Sequence, residues 1–143
     1  MTTRAARGPV VVDTDVFSAR FVPDSTLARR YEPLLVGRVE YLSFQTVAEV
    51  RYGALQRGWG NARRGRLEAA MARVEVVHTG DELIRVYAEL RVACTRAGHA
   101  LGQREHDADR WVAATALRLG VPLVSNDRVF DGTPGLALES THG

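Results

Sequence analysis

The sequence predicts a three-layer α/β/α fold around a central, mostly parallel sheet of four to five strands. Short apolar runs alternate with longer amphipathic segments, an order typical of a parallel sheet covered by helices on both faces. The run Val10–Val12 has no polar alternation, which indicates a strand buried on both faces. The chain has 143 residues, of which 45% are apolar, enough for one domain with one core.

Helix caps and apolar spacing define the predicted elements in chain order. Asp24 or Ser25 can cap the second helix, because an oxygen side chain accepts hydrogen bonds from the first free N–H groups. Gly37 and Gly120 suit the position after a helix, where the backbone turns left-handed. The predicted strands are 9–12, 39–44, 74–78, 121–124 and a last edge strand at 136–138. The predicted helices are 16–20, 26–35, one from 43 or 45 that ends before 58, 61–73, one capped at 79 or 81 that ends near 98, and 109–119.

One domain accounts for nearly the whole chain. We expect residues 1–8 to form a flexible N-terminal lead-in, residues 9–139 a single domain and residues 140–143 a C-terminal tail. No apolar run approaches the ~20 residues that cross a bilayer. No apolar segment follows the N-terminal arginines as it would in a signal peptide. We therefore expect a cytoplasmic protein with no membrane association.

The composition excludes several kinds of chemistry. Cys94 is the single cysteine, so no disulfide can form within the chain, and its amphipathic surroundings favour a core position. All 19 basic residues are arginines, and the absence of lysine excludes a Walker A loop and Schiff-base catalysis. Arginine suits bidentate contact with phosphate. The net charge of +2 is compatible with nucleic-acid binding but does not demonstrate it.

Asp13 directly follows the buried first strand, and this position has two interpretations. Aspartate is a good N-cap, so Asp13 can simply begin the next helix. It also lies at the carboxyl end of a central strand, where open α/β sheets bind their ligands. In that case Asp13 is a metal ligand or a nucleophile.

Three other acids are expected at the same edge of the sheet. Glu49 lies early in the helix after the second strand, and Asp127 follows the fourth strand. Asp109 begins a crossover helix, which runs antiparallel to the strands, so its first turn also lies at the carboxyl edge. Capping alone explains each acid separately, but it does not predict apolar strands that end in acids.

Clustered carboxylates repel one another and raise one another's pKa, and a divalent cation relieves this repulsion. A ligand set of oxygen atoms suits Mg²⁺ or Mn²⁺ better than Zn²⁺. Mg²⁺ retains several waters, and one of them can attack a phosphodiester. The acids Asp13, Glu49, Asp109 and Asp127 therefore predict a site for metal-assisted hydrolysis.

Two neighbouring acids have different expected roles. Asp15 is expected to face the following helix or to bind a metal-bound water, whereas Asp107 is expected to cap the helix that contains Asp109. Asp107 and Asp109 do not share a helix face, so they are not expected to bind one ion together. His106 lies three residues before Asp109. A position on the surface is the favoured interpretation, and a role in supporting Asp109 is the alternative. Trp111 is expected in the core or in a dimer contact.

Four motifs resemble the PIN-domain family and, within it, the VapC toxins of bacterial toxin–antitoxin pairs. The resemblance covers about residues 10–138, and the order and spacing of the motifs are its most specific feature. The motifs are Val12-Asp13-Thr14-Asp15, then 46–53 (TVAEVRYG), then 109–116 (DRWVAATA), and finally 123–130 (LVSNDRVF). The family pattern has Asn or Ser at the position of Asp15. The fourth motif leaves open whether Asn126 or Asp127 takes the last acidic position.

The resemblance implies an endoribonuclease that depends on Mg²⁺ or Mn²⁺. It also implies a homodimer that a small DNA-binding antitoxin holds inactive. Asp13, Glu49 and Asp109 correspond to the core acids of the family, and Asp127 to the more variable fourth. The sequence does not identify the RNA, the antitoxin or the number of ions.

Three arginines near the predicted rim are candidate contacts to the RNA backbone, although solvated surface is the expected role for most of them. They are Arg51, Arg110 and Arg128.

Two alternative functions remain open at this point. Asp13-Thr14-Asp15 also fits a haloacid-dehalogenase-like phosphatase with Asp13 as nucleophile, although such enzymes normally carry a further lysine or arginine motif. The other alternative is a catalytically inactive PIN-like binding module. The presence of all four acids argues against it.

Overall fold

Five parallel strands form the central sheet of the computed structural model, which describes residues 7–142. The strands are β1 (Val10–Val12), β2 (Glu40–Ser43), β3 (Glu75–Val77), β4 (Leu123–Val124) and β5 (Leu138–Glu139). Their order across the sheet is β3-β2-β1-β4-β5, and every neighbouring pair is parallel. The apolar run that predicted a buried strand is therefore the central strand.

Helices cover both faces of this sheet, which confirms the predicted three-layer α/β/α fold. The α-helices of the described residues are α1 (Thr14–Ala19), α2 (Thr26–Leu35), α3 (Phe44–Gln56), α4 (Asn61–Ala72), α5 (Asp81–Ala97) and α6 (Asp107–Leu119). Short 3-10 turns lie at Ala100–Gly102, Arg104–His106 and Arg128–Phe130. None of the helices within residues 7–142 has the length and apolarity that crossing a bilayer demands.

The central strand β1 supplies side chains to two separate cores. Val10 and Val12 pack with residues of α1 to α4, whereas Val11 packs with residues of α5 and α6 on the opposite face. All three side chains are fully buried, and burial of a valine contributes roughly 1.5–3 kcal/mol. Cys94 is buried in the second core, as expected.

Several predicted boundaries are wrong; helix α1, for example, begins at Thr14 rather than Val16, and β4 begins at Leu123 rather than Val121. Helix α6 begins at Asp107 rather than Asp109, because acids in a first turn interact favourably with the helix dipole. Asp107 is therefore not the N-cap. Gly80, rather than Thr79 or Asp81, precedes the first residue of α5. The last strand begins later than predicted, because Leu136 closes a turn by donating its N–H to the Thr133 carbonyl.

Helix starts accumulate at the carboxyl edge of the sheet. Helix α1 follows β1 immediately, and α3 follows β2 without a loop. Ser43 caps α3 by accepting a hydrogen bond from the Gln45 N–H. Helix α6 also begins at this edge and returns to the start of β4. The first turns of three helices thus surround the end of the central strand.

Candidate active site

Asp13 lies at the carboxyl end of β1, where its side chain is 6% exposed. Its Oδ1 accepts a hydrogen bond of 2.8 Å from the Thr14 N–H, which makes it the N-cap of α1. Its Oδ2 accepts a 2.7 Å hydrogen bond from the Ser125 hydroxyl. The two interpretations of the sequence are therefore compatible, because one carboxylate both caps the helix and lies at the ligand-binding edge.

Ser125 and Thr14 hold two of the acids in place, and sequence reasoning missed both. Ser125 is fully buried, and its Oγ also accepts a 3.0 Å hydrogen bond from the Asp127 N–H. The Thr14 hydroxyl donates to Glu49 Oε1 at 2.5 Å. Each hydroxyl directly follows a buried strand or its terminal acid, and this position is the signal that could have identified them.

Asp109 lies in the first turn of α6 beside His106. His106 Nδ1 is 3.2 Å from Asp109 Oδ2, and both side chains are about 30% exposed. His106 is therefore partly exposed and contacts the acid that it was considered to support. Trp111, two residues further along α6, stacks on Tyr87 at 4.0 Å between ring centroids and packs against the second core.

The loop after β4 contains both candidates for the fourth acidic position, Asn126 and Asp127, and their side chains have different partners. The Asn126 side-chain oxygen accepts hydrogen bonds from the Tyr31 hydroxyl at 2.9 Å and from Arg30 at 2.8 Å. Tyr31 is fully buried and also contacts the Ser125 carbonyl at 3.1 Å. The Asn126 amide is thus engaged on the side of α2. Asp127 instead caps the following turn and acts electrostatically on other acids.

Of the two neighbouring acids, Asp15 belongs to the cluster and Asp107 does not. Asp15 Oδ1 accepts from the Val16 N–H at 2.7 Å, and its Oδ2 accepts from the Asn126 N–H at 3.1 Å. Asp107 contacts Tyr87 and lies 3.5 Å from Arg110. Five carboxylates therefore approach one another, although their positions are far apart in the chain.

This convergence changes the acid strength of three aspartates. Burial, followed by the charge of Asp15, raises the pKa of Asp13 to about 8, although hydrogen bonds from Ser125 and Thr14 partly oppose the change. Burial is also the largest cause that raises the pKa of Asp15. Burial raises the pKa of Asp109, and the charges of Asp127 and Glu49 add to the increase. At neutral pH the cluster therefore favours binding of a proton or a cation.

The donor set fits a hard divalent cation. Within residues 7–142, no three His, Cys, Asp or Glu side chains already stand in a metal-coordinating arrangement. The carboxylates are instead hydrogen-bonded to hydroxyls, to His106 and to backbone N–H groups. Their oxygen atoms are nevertheless the ligands that Mg²⁺ and Mn²⁺ prefer.

A groove of about 580 Å³ extends from the acids along α1, α3 and α4. Asp15, Glu49, Trp59 and Arg63 are among the residues that line it. The groove is large enough for part of a polymeric substrate to lie beside the carboxylates.

The predicted role of Arg110 in contacting RNA is wrong. Its side chain is 1% exposed and donates to the carbonyls of Leu101, at 2.8 Å, and Gln103. It lies inside the protein, where it is bonded to the irregular segment that precedes α6. Arg51 forms an exposed ion pair with Glu68, and Arg128 donates to the His142 carbonyl.

The fold and the acids at the end of its central strand are those of a nuclease-like α/β domain, and the family comparison agrees. The PIN domain matches residues 10–136, and the chain belongs to this family. The matched segment begins at the first residue of β1 and contains Asp13, Glu49, Asp109 and Asp127.

Individual relatives resemble the chain over nearly its whole length. Ribonuclease VapC5 of Mycobacterium tuberculosis (strain ATCC 25618 / H37Rv) is 29% identical over 139 residues, which cover 96% of this chain and 95% of the relative. A crystal structure of VapBC-5 from Mycobacterium tuberculosis superposes with a TM-score of 0.64 at 27% identity, covering 92% of this chain and 96% of that one. VapBC2 from Rickettsia felis, crystallised with a DNA fragment from its promoter, shares the fold with a TM-score of 0.75 at 22% identity, covering 92% and 98%.

Proposed function

We propose that this protein is the toxin of a type II toxin–antitoxin pair and a metal-dependent endoribonuclease. The observation that carries the proposal is the convergence of Asp13, Asp15, Glu49, Asp109 and Asp127 at the end of β1. The family membership and the similarity to Ribonuclease VapC5 support the same activity.

Four acids have distinct roles in this proposal. Asp13 and Asp109 hold the principal cation, Mg²⁺ or Mn²⁺, and Glu49 binds it directly or through water. Asp127 orients a water or helps to hold a second ion, and its carboxylate is better placed than the Asn126 amide, which is bonded to Tyr31. When bound, the cation lowers the pKa of water and offsets charge on the phosphoryl oxygens.

Three other side chains position the acids. Ser125 fixes one oxygen of Asp13, Thr14 fixes one oxygen of Glu49, and His106 fixes one oxygen of Asp109. Each acid keeps a second oxygen or lone pair for a cation. Such supporting contacts fix the orientation of metal ligands and raise their affinity.

The partners in this proposal are RNA and a small DNA-binding antitoxin of the VapB type. The similar crystal structures are VapBC complexes, and one of them contains promoter DNA. The homodimer, the cytoplasmic location and a single functional unit over residues 9–139 remain predictions. Residues 1–6 of the expected lead-in and Gly143 lie outside the described part of the chain.

The two alternative functions are less well supported. The phosphatase requires Asp15 beside a nucleophilic Asp13, but Asp15 is bonded to two backbone N–H groups, and the family match is to PIN domains. The inactive module is disfavoured because every candidate acid is present and drawn into the cluster.

The direct experiment is RNA cleavage by purified, antitoxin-free protein with Mg²⁺ or Mn²⁺. We expect cleavage that EDTA abolishes and that Asp109→Asn reduces by at least about a hundredfold. Asp107→Asn is the matched control, because this neighbouring acid faces Tyr87 rather than the cluster. Cleavage that survives both EDTA and Asp109→Asn would contradict the proposed function.

A further inference from the structure

The acidic site lacks an obvious source of attraction for RNA. Five carboxylates repel a phosphodiester chain, and a bound cation offsets only part of their charge. Arg110, one of the three arginines that are candidate contacts to the RNA backbone, is buried, and Arg51 is paired with Glu68. Arg128 is exposed and donates to the His142 carbonyl, so a further arginine-rich surface would add to substrate affinity.

A second cleft continues the groove beyond Arg63. This cleft has a volume of about 510 Å³ and lies between the α1–α2 loop and α4. The groove and the cleft share Phe21, Val22 and Arg63, so they form one path that begins at Asp15 and Glu49. Four arginines line the cleft, and no acidic residue does. They are Arg20, Arg63, Arg66 and Arg73.

Two of these arginines lie in α4, and a third, Arg73, is the C-cap residue directly after it. Arg63, Arg66 and Arg73 are separated by three and seven residues, a spacing that places side chains on the same helix face. Ala69 and Ala70 line the cleft between them, and small side chains keep it open. Among residues 7–142, no carboxylate lies within ion-pair distance of these three guanidinium groups, whereas Arg20 is paired with Glu40 at 2.6 Å.

Arg63 is fixed at the junction of the two clefts. Its guanidinium carbon lies 3.9 Å from the centroid of the Trp59 ring, and the group donates to the Phe21 carbonyl at 3.1 Å. Arg66 and Arg73 are exposed further along the helix. The path therefore passes from carboxylates, over aromatic side chains, to unpaired guanidinium groups. Proteins bind single-stranded RNA through contacts of this kind, since aromatic rings stack with bases and arginines bind phosphates.

The geometry points to the α4 arginine cleft as the site that binds the RNA strand on one side of the scissile phosphate. This inference rests on the proposed ribonuclease function and assigns Arg63, Arg66 and Arg73 to the phosphates beyond the cleaved bond. An acidic protein segment is a less suitable occupant than RNA. The carboxylates at the end of the path repel both, but only RNA has a phosphodiester bond that a cation bound there could help to cleave.

The test measures binding of fluorescein-labelled oligouridine to Asp109→Asn protein, so that the RNA stays intact. The added substitutions are Arg66→Gln with Arg73→Gln, and the matched control is Arg91→Gln with Arg96→Gln on α5, which covers the opposite face of the sheet. Each lost single-strand phosphate contact lowers the slope of log affinity against log salt by about 0.7. We expect a decrease of about 1.4 for the α4 pair and no change for the α5 pair.

Substrate length provides a second readout. In cleavage assays, the effect of the α4 pair should be present with oligouridine of about 16 nucleotides and largely absent with about four, because a short strand that is bound productively at the acids does not reach the cleft. In an otherwise wild-type protein, the same pair should raise KM for RNA cleavage and leave kcat nearly unchanged. Unchanged thermal unfolding should accompany these effects, since both side chains are exposed.

Three outcomes contradict the inference or its basis. If the α4 variant has the same salt slope as the parent protein, the inference is contradicted. This holds also if the α4 substitutions weaken only the binding of the antitoxin. Equal losses in the α4 and α5 variants also contradict it, because they indicate nonspecific charge effects. Absence of cleavage by the wild-type protein would contradict the proposed function. This failure can be distinguished from failure of the inference, because RNA binding is measured without cleavage.

Discussion

Ser125 Oγ lies 2.7 Å from Asp13 Oδ2 and 3.0 Å from the Asp127 backbone nitrogen. One buried hydroxyl therefore joins the carboxyl ends of two neighbouring strands, β1 and β4. It donates to the first acid and accepts from the N–H of the fourth. This link sets the position of both residues relative to each other before any cation binds.

Replacement of Ser125 by alanine tests that link. The variant removes a hydrogen bond that lowers the pKa of Asp13, and it leaves the Asp127 N–H without its partner. We expect kcat/KM for RNA to fall by about 10–100-fold, the usual effect of losing a supporting contact at a metal site. Urea unfolding should show a loss of about 1–3 kcal/mol. Thr95→Ala in α5 is the control, because this exposed hydroxyl donates to the Arg91 carbonyl of its own helix, and an equal loss of activity there would contradict a specific role for Ser125.

Asp13 should make stability depend on pH in the metal-free protein. Burial raises its folded pKa to about 8, so the folded state holds a proton that the unfolded state releases. The resulting stabilisation is present in acid and is lost as the pH rises through about 8. Asp13→Asn is neutral throughout, and in EDTA it should become progressively more stable than wild type, by at most about 1.4 kcal/mol per pH unit.

Chemical unfolding at about pH 6 and about pH 9 measures this difference. The substituted protein should also be inactive toward RNA, because Asp13 is a proposed ligand. If the difference in unfolding free energy between the two proteins does not change with pH, burial does not raise the pKa of Asp13.

Arg110 should contribute to stability rather than to RNA binding. Its guanidinium satisfies the carbonyls of Leu101 and Gln103 inside the protein, and Arg110→Gln leaves them without full hydrogen bonding. We expect a loss of roughly 3 kcal/mol in urea unfolding and no change in the salt slope of RNA binding. Arg51→Gln, which breaks only an exposed ion pair with Glu68, should cost less than about 1 kcal/mol. A stable Arg110→Gln protein with a reduced salt slope would reverse this assignment.

The sequence was sufficient to predict the fold and the convergence of the acids, because both follow from local patterns. A buried run such as Val10–Val12 identifies a central strand, and its end identifies the edge where Asp13 lies. The contact between Asp15 and the Asn126 N–H could not be predicted, since it depends on how two distant loops pack. The burial of Arg110 was missed for a similar reason, because its partners lie in an irregular segment without a recognisable pattern.

The most direct test of the central claim, that these carboxylates form a cation site, is calorimetric titration of antitoxin-free protein with Mn²⁺ near neutral pH. Wild type and Asp107→Asn should bind Mn²⁺ equally, with release of protons, because Asp13 has its pKa raised to about 8. Asp109→Asn should lose measurable binding while it remains folded. Equal Mn²⁺ binding by all three proteins, or no binding by wild type, would contradict the account.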